Sequence, residues 1–75
     1  METLTPTVSL RTVTVNGEPH DLAAATLAEA LVVLDFADAV VATALNGEFV
    51  PKRKRSETPL QDGDAIEIVA PRQGG

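Results

Sequence analysis

The sequence predicts an α+β fold: a mixed sheet of four to five strands with one main helix packed on one face. Three observations carry this. Two Asn-Gly pairs, at 16–17 and 46–47, lie between stretches rich in β-branched and apolar residues, the pattern of tight hairpins. One segment, from Thr26 onward, has helical periodicity instead. A short apolar strand pattern comes just before the last few residues.

Taken in order, residues 1–7 contain Thr5-Pro6-Thr7 and little apolar material, and read as a loose leader. Val8 to Val15 is rich in β-branched residues, a strand signal. Val8 and Leu10 are out of phase with Val13 and Val15, so either a bulge lies near Arg11-Thr12 or the strand proper begins at Arg11. Asn16-Gly17 turns the chain, since a type I′ turn needs positive φ at both central residues. The return strand is Glu18 to Leu22. Pro19 has no N–H to give a ladder, which places this strand at a sheet edge.

Thr26-Leu27-Ala28-Glu29 has the spacing of a capping box, with Thr26 as the cap and Glu29 reaching back to it. Leu27, Leu31 and Leu34, with Ala30 beside them, form one apolar stripe. The helix should end near Asp35. Val40 to Leu45 reads as a third strand, apolar except at Thr43. Such a run suits a central strand covered on both faces or facing a partner. Asn46-Gly47 makes the second turn, into Glu48-Phe49-Val50, which Pro51 stops. Asn-Gly-Glu thus occurs at 16–18 and 46–48, and reads as two independent tight turns rather than a duplicated unit.

Residues 52–64 read as a polar loop with a turn at Asp62-Gly63 and one buried anchor, Leu60. The last strand is Ala65 to Val69, with Ile66 and Ile68 on one face and Glu67 on the other. Its apolar character places it centrally, beside and parallel to the first strand, with the strand–helix–strand crossover as the long link. That arrangement is the β-grasp architecture. The 75 residues make a single domain, 1–75, with its leader at 1–7 and a flexible C-terminal tail at 71–75.

Composition narrows function. There is no cysteine, hence no disulfide, thiolate metal site or thiol nucleophile, and Met1 carries the only sulfur, a thioether. The net charge is −5, and four of the six bases sit together at Lys52-Arg53-Lys54-Arg55. An acidic body with no Trp or Tyr argues against nucleic acid. No apolar run approaches the roughly 18 residues of a membrane helix. The first residues show no basic segment followed by an apolar stretch, so no secretory signal is expected and the cytoplasm is the default location. Lys52–Arg55 reads as a solvated loop, with a docking patch for an acidic groove as the alternative. His20 reads as a surface side chain, and Asp62 and Asp64 as members of a plain turn rather than a metal loop. Glu67 and Val69, with Phe49 nearby, fall on the open face of the sheet, either a partner surface or an ordinary half-solvated face.

The most informative feature is the ending Pro71-Arg72-Gln73-Gly74-Gly75, directly after the last strand. Glycine has no Cβ, so such an end can thread a narrow channel. A flexible, unhindered α-carboxylate on a rigid body suits an enzyme for which that carboxylate is the substrate.

Val15 to Pro19, Thr26 to Leu31, Val41 to Pro51 and Asp62 to Gly75 together resemble the thiamine-biosynthesis sulfur-carrier family, ThiS, over roughly residues 11–75. Asn46-Gly47-Glu48 with Val50-Pro51, and the terminal Gly-Gly, are the most specific parts. The leader is an extension the family does not require. Asp35 stands where many members have a helix-ending Gly. The resemblance implies a ubiquitin-like β-grasp fold and a protein co-substrate, not an enzyme, with no cofactor or metal of its own. It implies that an adenylating, ubiquitin-activating-like enzyme joins the Gly75 carboxylate to AMP from ATP. A persulfide sulfur then displaces AMP and leaves a thiocarboxylate at Gly75, which gives its sulfur to thiazole synthase. Gly74, Gln73, Arg72 and Pro71 would contact partners. Three other readings are a molybdopterin-type sulfur carrier, a ubiquitin-like protein modifier, and a β-grasp binding domain whose tail has no role. The Asn-Gly turn directly after the first strand favours the thiamine carrier over the molybdopterin one.

Overall fold

The structure, a computed structural model, describes residues 10–70. The leader 1–7 and the tail 71–75 lie outside them.

Five strands and one α-helix make up the fold: β1 (Arg11–Val15), β2 (Glu18–Leu22), α1 (Leu27–Val33), β3 (Ala42–Leu45), β4 (Glu48–Val50) and β5 (Ala65–Val69). They form one mixed sheet in the order β2-β1-β5-β3-β4. β1 and β5 run parallel and the other neighbours antiparallel, which is the predicted β-grasp arrangement. β5 lies at the centre of the sheet and β2, which carries Pro19, at its edge.

Of the two starts open for the first strand, the structure takes Arg11. Both Asn-Gly pairs turn as their chemistry requires, with φ of 51° and 87° at Asn16 and Gly17 and 50° and 85° at Asn46 and Gly47. Thr26 caps α1, its hydroxyl accepting from the Glu29 N–H at 3.2 Å. The Glu29 carboxylate reaches one residue further back than a standard capping box and accepts from the Ala25 N–H at 2.7 Å. The cap is tied to the later loop. Leu27 N–H donates to the Thr58 carbonyl and Leu60 N–H to that of Ala25, which lodges Leu60 in the core.

The core packs the inner faces of β1 and β5 against α1: Val13, Val15, Leu22, Leu27, Ala30, Leu31, Leu60, Ile66 and Ile68 are all buried. Leu34, predicted in the stripe, is only partly buried, because α1 ends at Val33 and Leu34 is its C-cap. The chain leaves through Asp35 at φ 69°. Phe36 N–H donates to the Leu31 carbonyl and Asp35 N–H to that of Val32, the two bonds of a Schellman motif.

Two expectations are corrected. β3 begins at Ala42, not Val40, and of the two readings of its faces the structure excludes full cover on both: Ala42 is exposed and Ala44 half-buried, whereas Thr43 is 1% exposed. Residues 52–64 are not all loop, since Lys52–Glu57 winds into a 3₁₀ helix behind Pro51. That turn carries Arg55 inward. Arg55 is 8% exposed, and its guanidinium donates from Nε to Thr43 Oγ1 at 3.0 Å and from Nη2 to the Val41 carbonyl at 2.7 Å. The basic run is therefore solvated at Lys52, Arg53 and Lys54 but not at Arg55. β3 begins where its neighbours end, with Ala42 opposite Val69 of β5 and β4 stopped before Pro51, and the Val41 carbonyl just before it accepts from Arg55.

Candidate functional site

Gly75, Gly74, Gln73, Arg72 and Pro71 lie outside the described residues. The structure describes the base from which they leave. β5 carries the chain out of the middle of the sheet to Ala70, which is exposed.

Around that base the register assembles the open face. Ala44 of β3 pairs with Phe49 of β4 on one side and Glu67 of β5 on the other, so these three side chains form one row across three strands. Ala42 pairs with Val69 in the neighbouring row. Phe49 is 68% exposed and Val69 61% exposed. Val40, Val41, Ala42 and Val69 line a shallow depression of about 270 Å³ at the C-terminal end of β5. The other half of this face is polar: Thr12 Oγ1 donates to the Asp21 carboxylate at 2.7 Å across β1 and β2. The three residues named from sequence, Phe49, Glu67 and Val69, thus fall together on one apolar half-face, with the Glu67 carboxylate at its β5 border.

The inner side of the same strands is braced. Thr43 Oγ1 donates to the Val50 carbonyl at 2.8 Å while it accepts from Arg55. Sequence reasoning missed Arg55. The available signal was Thr43, the one polar residue in an apolar run, whose burial requires hydrogen-bond partners.

β5 is also held by two side chains that sequence reasoning assigned only to turns. The Asn16 carboxamide exchanges two hydrogen bonds with the backbone of Ile68, accepting at 2.8 Å and donating at 3.1 Å. Asn46 Oδ1 accepts from the Ala65 N–H at 2.9 Å, and its Nδ2 donates to the Asp64 carboxylate at 3.0 Å. Asp62 accepts from the Thr12 N–H, and Asp64 also accepts from the Gln61 N–H. Both are therefore engaged in the turn before β5, as predicted. His20 is half-buried on β2. Among the described residues no group of three His, Cys, Asp or Glu could hold a metal ion, and no helix is long and apolar enough to cross a membrane.

Comparison with known proteins gives this geometry a context. A family model described as the ThiS family matches residues 13–75. The chain is 42% identical over 60 residues to the sulfur carrier protein ThiS of Thermus thermophilus, across 80% of this chain and 94% of that protein. It superposes on the crystal structure of the thiamine biosynthesis protein ThiS from Geobacter metallireducens with a TM-score of 0.72 and 35% identity, covering 85% of this chain and 99% of that one. The family model reaches residue 75, and both relatives are matched over nearly their whole length, so the chain belongs to the ThiS family.

Proposed function

We propose that this protein is the sulfur carrier of thiamine biosynthesis and that Gly75 is its working residue. It is a carrier acted on by enzymes, not a catalyst. A carboxylate is a poor electrophile. A partner adenylating enzyme therefore joins the Gly75 carboxylate to AMP from ATP, releasing pyrophosphate and supplying a leaving group. A persulfide sulfur displaces AMP to give an acyl disulfide, and a second thiol on the sulfur donor attacks the donor's own sulfur, becoming oxidised to a disulfide and releasing the thiocarboxylate. Thiazole synthase takes the sulfur from there. The absence of cysteine fits a carrier whose sulfur arrives from outside. The cytoplasm, where ATP is available, is the compartment this reading requires.

The observation that carries the reading is the Gly74-Gly75 end placed a few residues beyond the central strand of a family member. Pro71, Arg72 and Gln73 span the gap from body to diglycine and would contact the partner's channel. Phe49, Glu67 and Val69 form the surface on which the partner body rests, since exposed apolar side chains gathered in one place mark interaction sites.

Deletion of Gly75 tests it. The deletion leaves a carboxylate on Gly74 that is short by about 3.5 Å of chain reach. A displacement of even about 1 Å from attack geometry can cost a hundredfold in rate. ATP–pyrophosphate exchange with the adenylating enzyme should collapse. Intact mass should show no replacement of oxygen by sulfur, and the melting temperature should stay at the wild-type value. Gly75→Val keeps the reach but puts a branched side chain into a channel built for none, and should also load poorly. Normal loading by the deletion variant would rule out Gly75 as the sulfur site.

A further inference from the structure

We propose that Asn16 is a positioning residue for the C-terminal tail: its carboxamide clamps Ile68 and thereby sets where the tail begins. The proposal rests on the carrier reading above. β1 and β5 are in parallel register over only two pairs, Thr14 with Ala65 and Val15 with Ile66. Their backbone bonds end at Asn16, whose N–H donates to the Ile66 carbonyl at 2.9 Å. Beyond that point the chain turns away through Gly17 into β2. A ladder continuing one step further would bond both the N–H and the carbonyl of Ile68. The Asn16 side chain makes both bonds in place of the missing strand. Past Ile68 β5 is supported from one side alone, by the pairing of Val69 with Ala42 of β3. Ile68 is therefore the last residue before the tail held from both sides.

The turn favours asparagine here but does not require its side chain to make these bonds. Glycine meets a φ of 51° without strain, and aspartate tolerates it. A carboxamide offers a donor and an acceptor on separate atoms of one short side chain, so it can meet an N–H and a carbonyl at once. Aspartate would set a carboxylate against the Ile68 carbonyl, and glycine would leave both backbone groups unclamped. Asn46, in the other Asn-Gly-Glu turn, holds Ala65 at the opposite end of the same strand, far along the chain from the tail. It serves as an internal control.

Without the Asn16 clamp, the two-sided anchor retreats from Ile68 to Ile66. The tail then starts from a frayed strand, and the partner must order more chain before threading it. Ordering precedes chemistry, so the cost falls on KM and not on kcat. If about a tenth of molecules hold the ordered base, apparent affinity falls about tenfold.

The experiment compares wild type, Asn16→Gly, Asn16→Asp and Asn46→Gly. Amide hydrogen exchange is measured on each free protein, and ATP–pyrophosphate exchange with the adenylating enzyme of the same organism, well below the melting temperature. Both Asn16 variants should speed exchange at the Ile68 N–H and raise KM for the carrier about tenfold, with kcat within about twofold of wild type. Asn46→Gly should lower the melting temperature and leave KM unchanged. Unchanged KM in the Asn16 variants overturns the proposal, as does an equal rise in Asn46→Gly, which would mark general loosening. Loss of fold in both Asn16 variants would make the residue structural and overturn it too. Absence of pyrophosphate exchange with wild type instead overturns the carrier reading, and the proposal with it.

Discussion

Asp35 occupies the left-handed region at φ 69°, directly after the C-cap Leu34, and is exposed. Its backbone closes the Schellman motif, but its side chain is doubly ill suited. Aspartate tolerates this φ but less well than glycine, and a carboxylate at a helix C-terminus opposes the macrodipole. Asp35→Gly removes both penalties and should raise stability by about 1 kcal/mol. Asp35→Asn removes only the charge and should gain roughly half of that. Thermal melts of the two variants separate backbone preference from charge. That the helix ends near Asp35 was legible in the sequence, and the resemblance, which sets Asp35 where many members have a helix-ending Gly, pointed to positive φ there. Arg55 was not legible. Its place among Lys52, Arg53 and Lys54 reads as solvent-facing. Only the 3₁₀ winding of Lys52–Glu57 brings its guanidinium beneath β3 to Thr43 and the Val41 carbonyl. No periodicity in the run announces that contact, twelve residues from Thr43 along the chain.

At the scale of elements, α1 is seven residues long, too short to be stable alone in water. It persists because Leu27, Ala30 and Leu31 bury against the sheet, with Leu27 and Ala30 fully excluded from solvent. Leu31→Ala should therefore cost about 2–5 kcal/mol. For a domain of this size each kcal/mol lowers the melting temperature by roughly 4–8 °C, so a shift of only a degree or two would mean the helix face is misassigned. The hairpins and the cap were readable in advance because Asn-Gly and Thr-x-x-Glu act within four residues. β3 was misread at its start because apolar content alone does not distinguish a paired strand from the exposed approach to one. Val40 and Val41 have strand composition, but the pairing of β3 with β5 starts only at Ala42, opposite Val69, the last residue of β5. The two Asn-Gly-Glu turns were correctly read as separate turns. Their second use, as clamps on β5, depends on which strand the fold places beside them.

For the molecule as a whole, the sheet has one covered and one open face, and the two halves of the open face differ. The β1–β2 half is polar, whereas the β5-β3-β4 half presents Phe49, Ala44, Ala42 and Val69, with Glu67 at its border on β5. Phe49→Ala should change stability by less than about 0.5 kcal/mol, as exposed substitutions do. It should weaken binding to the adenylating partner tenfold or more, the loss of an aromatic anchor. Titration calorimetry alongside a thermal melt checks both halves of this expectation. An unchanged affinity would leave the open face as ordinary solvated sheet. The sequence already showed that Phe49, Glu67 and Val69 could share a face, but alignment of Phe49, Ala44 and Glu67 in one row is a matter of register and needed the structure. The central position of β5 has a further consequence, for synthesis. The β1–β2 hairpin and the β3–β4 hairpin meet only through β5, the last strand to be made. A nascent chain that has not reached Val69 holds two hairpins with nothing between them and cannot close its core. Closure of the sheet thus waits for β5 to clear the ribosome, and chains that stop before β5 stay open to proteolysis.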